Sequence, residues 1–81
     1  MFKDIRYYFN SRLFIEHSLR FYKSLRLKDN NLSLVHGKEA MRIGNKALKL
    51  ESKIKEPIEK SIEEPLSILE NLYLKISTQS Q

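Results

Sequence analysis

The chain has 81 residues, 15 Lys/Arg against 10 Asp/Glu for a formal net charge of +5, and no cysteine. That length makes one domain at most, and one that is marginal by itself unless something staples it. The missing cysteines exclude a disulfide framework and thiolate metal sites, and no apolar run is long enough to cross a bilayer as a helix.

The excess charge sits in one segment. Residues 1–28 hold seven Lys/Arg against Asp4 and Glu16, while residues 29–81 hold eight basic and eight acidic side chains. The rings follow the charge: seven of the eight aromatics precede residue 23, and Tyr73 is the eighth. A chain polarised in this way reads as one interaction-prone element joined to a helical scaffold. Every long apolar pattern has a period of three to four, so the expected fold class is all-α, a small bundle of about three helices.

The first helix is expected from about Lys3 to Leu27, within a basic aromatic element over residues 1–28. At 100° per residue its apolar side chains fall in three directions. Phe2, Phe9, Leu13 and Leu27 share one. Ile5, Tyr8, Ile15, Leu19 and Tyr22 share a second, and Tyr7, Phe14, Phe21 and Leu25 a third. Only a narrow strip through Arg6, Asn10, His17 and Ser24 is polar. A surface helix normally has one apolar face, so this helix is expected to be covered on more than one side.

Asp29, Asn30 and Asn31 favour turns and caps, and a loop is expected over 29–37, with Gly37 as the break before the next helix; a helix starting near Ser33 and running through Gly37 is the alternative. The second helix is expected from Lys38 to Lys55. Its packing seam is Ala40, Ile43, Ala47, Leu50 and Ile54, at spacings of 3, 4, 3 and 4. Gly44 stands four after Ala40, which points to close approach of a neighbouring helix at a cost of about 1 kcal/mol in helix propensity. The scaffold continues to residue 76. Pro57 fits the first turn of a third helix. Pro65 either kinks that helix or starts a further one after a turn capped by Ser61 and Glu64, which have capping-box spacing, and a kink or short break is the favoured expectation. The apolar stripe there is Ile58, Ile62, Leu66, Leu69, Tyr73 and Ile76. Glu51–Lys55 and Glu56–Lys60 are expected as solvated i, i+4 pairs, and residues 77–81 as a polar tail.

No catalytic constellation is readable. There is no cysteine nucleophile and no glycine-rich phosphate loop, and the histidines, serines and acids converge in no recognisable order, so the chain is expected to be no enzyme and to need no cofactor. His17 and His36 are 19 apart with no acid or second histidine at ligand spacing, so no metal site is expected and both read as structural or solvent-facing residues.

Basic groups interleaved with rings point to docking. Arg6, Tyr7, Tyr8, Arg12, Arg20, Tyr22, Lys23 and Arg26 are the expected contacts, either to protein or to RNA, whose bases stack on rings and whose phosphates meet cations. A membrane surface fits less well, because the charges are dispersed along the helix and not gathered opposite a greasy face.

Phe21 to Arg26, "FYKSLR", resembles the leucine-tyrosine-arginine motif of a family of small basic three-helix mitochondrial proteins. Tyr22, Leu25 and Arg26 carry over as they stand; Phe21 replaces the leucine and Lys23 the arginine. The resemblance covers six residues and implies an accessory subunit or assembly factor of respiratory or iron–sulfur systems, often acting with an acyl carrier protein.

The expected function is thus a non-enzymatic accessory or assembly subunit of a multi-protein complex, docking through its first helix. An RNA- or ribosome-associated protein is the alternative. A small self-dimerising regulator of phage or plasmid type, pairing through the Ala40–Ile54 seam, is a third. An intracellular place, mitochondrial or cytoplasmic, is expected because no apolar secretory segment precedes the helix.

Overall fold

The computed structural model describes residues 2–55, 58 and 60–79, with side chains from residue 5 onward. It is all-α: α1 spans Phe2–Arg26, α2 Asn30–Glu51 and α3 Glu63–Gln79, with no strand among the described residues. The three form a slender bundle of 42 × 17 × 17 Å. The side chain of Phe2, Pro57 and the Glu56–Lys60 pair fall outside the described residues or depend on one that does.

α1 ends close to where the pattern predicts. Lys28 takes a left-handed φ of 59°. Its N–H donates to the Leu25 carbonyl and the Asp29 N–H to that of Ser24, both at 3.0 Å. This double closure is the Schellman arrangement, which satisfies two carbonyls the helix would otherwise leave bare.

The loop expected over 29–37 does not exist, and residues 30–37 are the first two turns of α2. Asp29 is its N-cap, and the Asp29 carboxylate accepts from the Leu32 N–H at 3.1 Å. The capping chemistry of Asp29 therefore starts a helix at once instead of opening a loop. Gly37 is not a break. A Cβ there would lie 2.7 Å from the Tyr73 ring and 2.9 Å from the Phe21 ring, so the residue is glycine because two rings from two helices close over it. Gly44 repeats this, with Leu66 at 2.7 Å and Phe14 at 2.8 Å. Close approach at Gly44 is the feature the sequence predicts.

α1 and α2 run antiparallel in a heptad register. Tyr7, Phe14 and Phe21 of α1 meet Glu51, Gly44 and Gly37 of α2 in that order. Phe14, Phe21, Ala40, Ile43, Leu66 and Leu69 form one buried cluster, and Tyr7, Ala47, Leu50 and Ile62 a second. The expected seam is thus the inner face of α2, with Ile54 packed half-buried against the second cluster. Ala40, Ile43, Ala47 and Leu50 are buried in the chain's own core.

The scaffold over 38–76 is divided into two helices, as expected, with the second helix ending earlier than Lys55. α2 stops at Glu51, and the following N–H groups of Lys53 and Ile54 bond three residues back, at 3.1 Å each. Glu51 and Lys55 are therefore not on one helix face, and the solvated pair expected of them does not form. Pro65 does not kink a helix; the break lies just before it, and α3 starts at Glu63 after the turn at Ser61 and Ile62. Pro65 lies in the first turn of α3, where no N–H is needed. Residues 77–79, expected as tail, continue α3; the Thr78 hydroxyl lies 2.8 Å from the Leu74 carbonyl, bonding back onto the preceding turn.

Candidate docking surface

Of the three apolar directions of α1, the bundle buries one. Tyr7 and Phe14 are 2% exposed and Phe21 is fully buried, whereas Ile5, Tyr8, Ile15 and Leu19 are 54–66% exposed. Phe9 is exposed as well, Leu13 half-buried, and Leu27 open beyond the helix end. Most of the narrow polar strip turns inward. Asn10 and Ser24 are buried and His17 half-buried, while Arg6 remains exposed.

Small polar groups can sit inside because their own helix satisfies them. The Asn10 amide donates to the Arg6 carbonyl at 2.7 Å and the Ser24 hydroxyl to that of Arg20 at 2.8 Å. Ser33, fully buried on α2, bonds the Asp29 carbonyl in the same way at 2.8 Å. Buried polar groups need partners, and a side chain bonded to the preceding turn is compact enough to let α2 come close. Polarity was thus a poor guide to exposure on this helix.

The outer face of α1 carries a second line of residues at alternating spacings of 3 and 4: Ile5, Tyr8, Arg12, Ile15, Leu19, Tyr22 and Arg26. All are exposed except Tyr22, which is half-buried. Two residues along a helix turn the direction by about 200° and one residue by about 100°, so Ile5, Arg12, Leu19 and Arg26 lie opposite the buried Tyr7–Phe14–Phe21 line, and Tyr8, Ile15 and Tyr22 lie to its side. Arg6, Arg20 and Lys23 are exposed too. Among the described residues the ion pair is Arg42–Glu39 on α2, and no basic side chain of α1 is paired.

The two outer tyrosines are braced from within. Tyr8 meets the Tyr7 ring edge-on at 5.3 Å and 64°, and Tyr22 meets Phe21 at 5.3 Å and 62°. Edge-to-face pairs of this kind contribute about 0.5–1.5 kcal/mol and hold each ring in place. Tyr8 and Tyr22 are fourteen residues apart, about 21 Å along the axis. Each borders a hollow. Tyr8 and Ile15 edge a cleft that runs to Ile58, Ile62 and Pro65, and Tyr22 lines another with Leu19, Arg26 and Leu27.

Tyr7 does not belong to this surface, although the sequence placed it among the docking residues. It is buried, and its hydroxyl donates to Glu51 Oε2 at 2.9 Å. Ser61 donates its hydroxyl to the other Glu51 oxygen, and the Ile62 N–H donates to Oε2 at 3.2 Å. One carboxylate thereby ties α1, the end of α2 and the start of α3. Ser61 in turn accepts from the Glu63 N–H at 3.1 Å. Burial opposes charge on Glu51, but the bonds from Ser61, Ile62 and Tyr7 outweigh it and hold the carboxyl below its ordinary value. Burial first, and then the bond to Glu51, push the Tyr7 hydroxyl up. Glu51 looked like a surface acid in the sequence; its role depends on Tyr7 and Ser61, distant in the chain.

His17 and His36 come together across α1 and α2, with ring centres 6.4 Å apart and planes tilted by 33°. Among the described residues no group of three or more His, Cys, Asp or Glu could hold a metal ion. No described helix is long and apolar enough to cross a membrane. Comparison with known proteins returns no matching family, no matching curated protein and no matching solved structure.

Proposed function

We propose that this chain is a non-enzymatic accessory or assembly subunit of a larger multi-protein complex, docking through the outer face of α1. The observation that carries the reading is the line of exposed Ile5, Tyr8, Ile15 and Leu19 interleaved with unpaired arginines. Large side chains at 54–66% exposure on one helix face are costly to leave in water, at roughly 1.5–3 kcal/mol each when fully buried. Braced aromatic residues beside arginine are the composition that dominates binding energy at protein interfaces. A place inside the cell, mitochondrial or cytoplasmic, accompanies the reading.

The test is the size of the native assembly that contains the chain, alongside its helicity. Tyr8→Ala combined with Leu19→Ala is expected to release the chain from its complex while circular dichroism and Tm stay as in the parent, because both side chains are exposed. Retention of the double variant in an assembly of unchanged size would sink the reading.

RNA contact is a second reading, supported by Tyr8, Arg12, Tyr22 and Arg26 sharing one face. It requires affinity to fall steeply with salt, since each phosphate contact releases counterions.

A further inference from the structure

Resting on that docking reading, we infer that the partner presents an α-helix with an apolar heptad seam, whose seam and flanks carry carboxylates placed to meet Arg12 and Arg26. The outer face of α1 falls into two lines. Ile5, Arg12, Leu19 and Arg26 recur every seven residues, and Tyr8, Ile15 and Tyr22 recur every seven between them. This is the a/d pattern of helix pairing, with an arginine at every second position of the first line. The pattern spans 22 residues, or about 32 Å from first to last, room for three heptads of a second helix. A polar residue inside a seam sets register, because a shift of one heptad would bury it against an apolar partner. Arg12 and Arg26, fourteen residues apart, are two such marks.

The occupant follows from charge. Among the described side chains, the face holds Arg12, Lys23 and Arg26, with Arg20 and Glu16 at its edge, all exposed. A second copy of α1 would oppose mostly basic groups to basic groups, the sequence of α1 offering six Lys/Arg against Asp4 and Glu16. Guanidinium groups buried without carboxylates are strongly unfavourable. A lipid layer would have to take Arg12 and Arg26 within the apolar line itself, not on an opposite polar face. A nucleic-acid strand has no use for Ile15 and Leu19, 54% and 64% exposed at the centre of the stripe, since aliphatic groups neither stack on bases nor pair with phosphates. An acidic helix satisfies all of these at once: leucine-like side chains cover Ile5, Ile15 and Leu19, the tyrosines fill its holes, and its carboxylates receive the arginines in forked pairs.

The test uses the full chain and two synthetic helical peptides of three heptads. Both carry leucine at seam positions. One has glutamate opposite Arg12 and Arg26 and along its flanks, and the other has lysine at every one of those sites. Titration calorimetry on the full chain is expected to show saturable one-to-one binding of the glutamate peptide and at least about tenfold weaker binding of the lysine peptide, the size of effect charge complementarity gives to helix partner choice. Arg12→Glu with Arg26→Glu should reverse the preference. Arg26→Glu alone should reduce it, which keeps the test open if the double variant folds poorly. Ile68→Ala, on the outer side of α3, should leave both affinities unchanged. Equal affinity for the two peptides overturns the inference, as does no binding of either. Tighter binding to vesicles of anionic lipid or to single-stranded polyuridine than to the glutamate peptide also overturns it. So does a dimer in sedimentation that Arg12→Glu abolishes. If the peptide fails but Tyr8→Ala with Leu19→Ala still frees the chain from its native complex, docking through α1 stands and the acidic helix is wrong. If both fail, both fall.

Discussion

Tyr7 and Tyr8 are neighbours in sequence and opposites in the fold. Tyr7 is 2% exposed and bonded to Glu51; Tyr8 is 63% exposed and faces outward. The same holds for Phe14 beside Ile15, buried against 54% exposed. Composition does not separate the two faces of α1, since both are rich in large apolar side chains. What separates them is the opposing surface. The inner face meets Gly37 and Gly44, two hollows seven residues apart on α2 into which Phe21 and Phe14 fit. On the outer face Ile5, Tyr8, Ile15 and Leu19 stay 54–66% exposed among the described residues. A helix can therefore be apolar all round and still have one buried side and one exposed side.

The largest break in that comparison is expected from one pair of substitutions. Phe14→Ala should cost about 3–5 kcal/mol, the usual loss for a buried ring, and most of the stability of a domain this small. Ile15→Ala, one residue along, should change stability by no more than about 0.5 kcal/mol. Chemical denaturation of the two variants measures both; similar losses would mean that the outer face is also covered in the folded chain.

The Glu51 junction sharpens the inner side. Glu51→Gln removes a charged acceptor that serves Tyr7, Ser61 and Ile62, and should cost about 1.5–3 kcal/mol. The sign with pH follows from the direction of the shift. The folded state holds the Glu51 carboxyl below its ordinary value, so its contribution is present above the ordinary carboxylate range. It is lost as pH falls through the folded-state value. Glu51→Gln should flatten that acid limb of Tm against pH. Tyr7 runs the other way. Its hydroxyl is raised, so its contribution is present below the ordinary phenol value and lost as pH rises through the raised one. Tyr7→Phe should remove the alkaline limb and leave the acid limb attributable to Ser61 and Ile62.

The smallest effect is expected at the turn that joins the helices. Lys28 holds a φ of 59°, a region that a side chain with a Cβ enters at a cost and glycine enters freely. Lys28→Gly should raise stability by roughly 0.5–1 kcal/mol while leaving both faces of α1 as they are. A loss at this position would mean that the lysine stem packs against the turn.

Most of the architecture was legible before the coordinates. The period of three to four gave the helices, α1 came within one residue at each end, and the Ala40–Leu50 seam and the Ile62–Leu69 stripe are the buried faces of α2 and α3. The errors cluster at punctuation. Gly37 was read as a break because glycine lowers helix propensity, yet it serves the closeness of Phe21 and Tyr73. A kink at Pro65 was expected alongside a break because nothing local distinguishes a proline in a first turn from one in a middle turn. Glu51 was paired with Lys55 by spacing, which holds only while the helix continues.

By itself, the sequence determined the helical class, the concentration of rings and charge on one element, and the lack of any disulfide. These follow from periodicity and composition, which are local properties. Only the tertiary structure decided which of three equally apolar directions of α1 became core. Periodicity ranks them alike, and the choice falls to the line whose rings match the two glycine hollows of α2. That same choice left Tyr8, Ile15 and Leu19, with their arginines, on the outside.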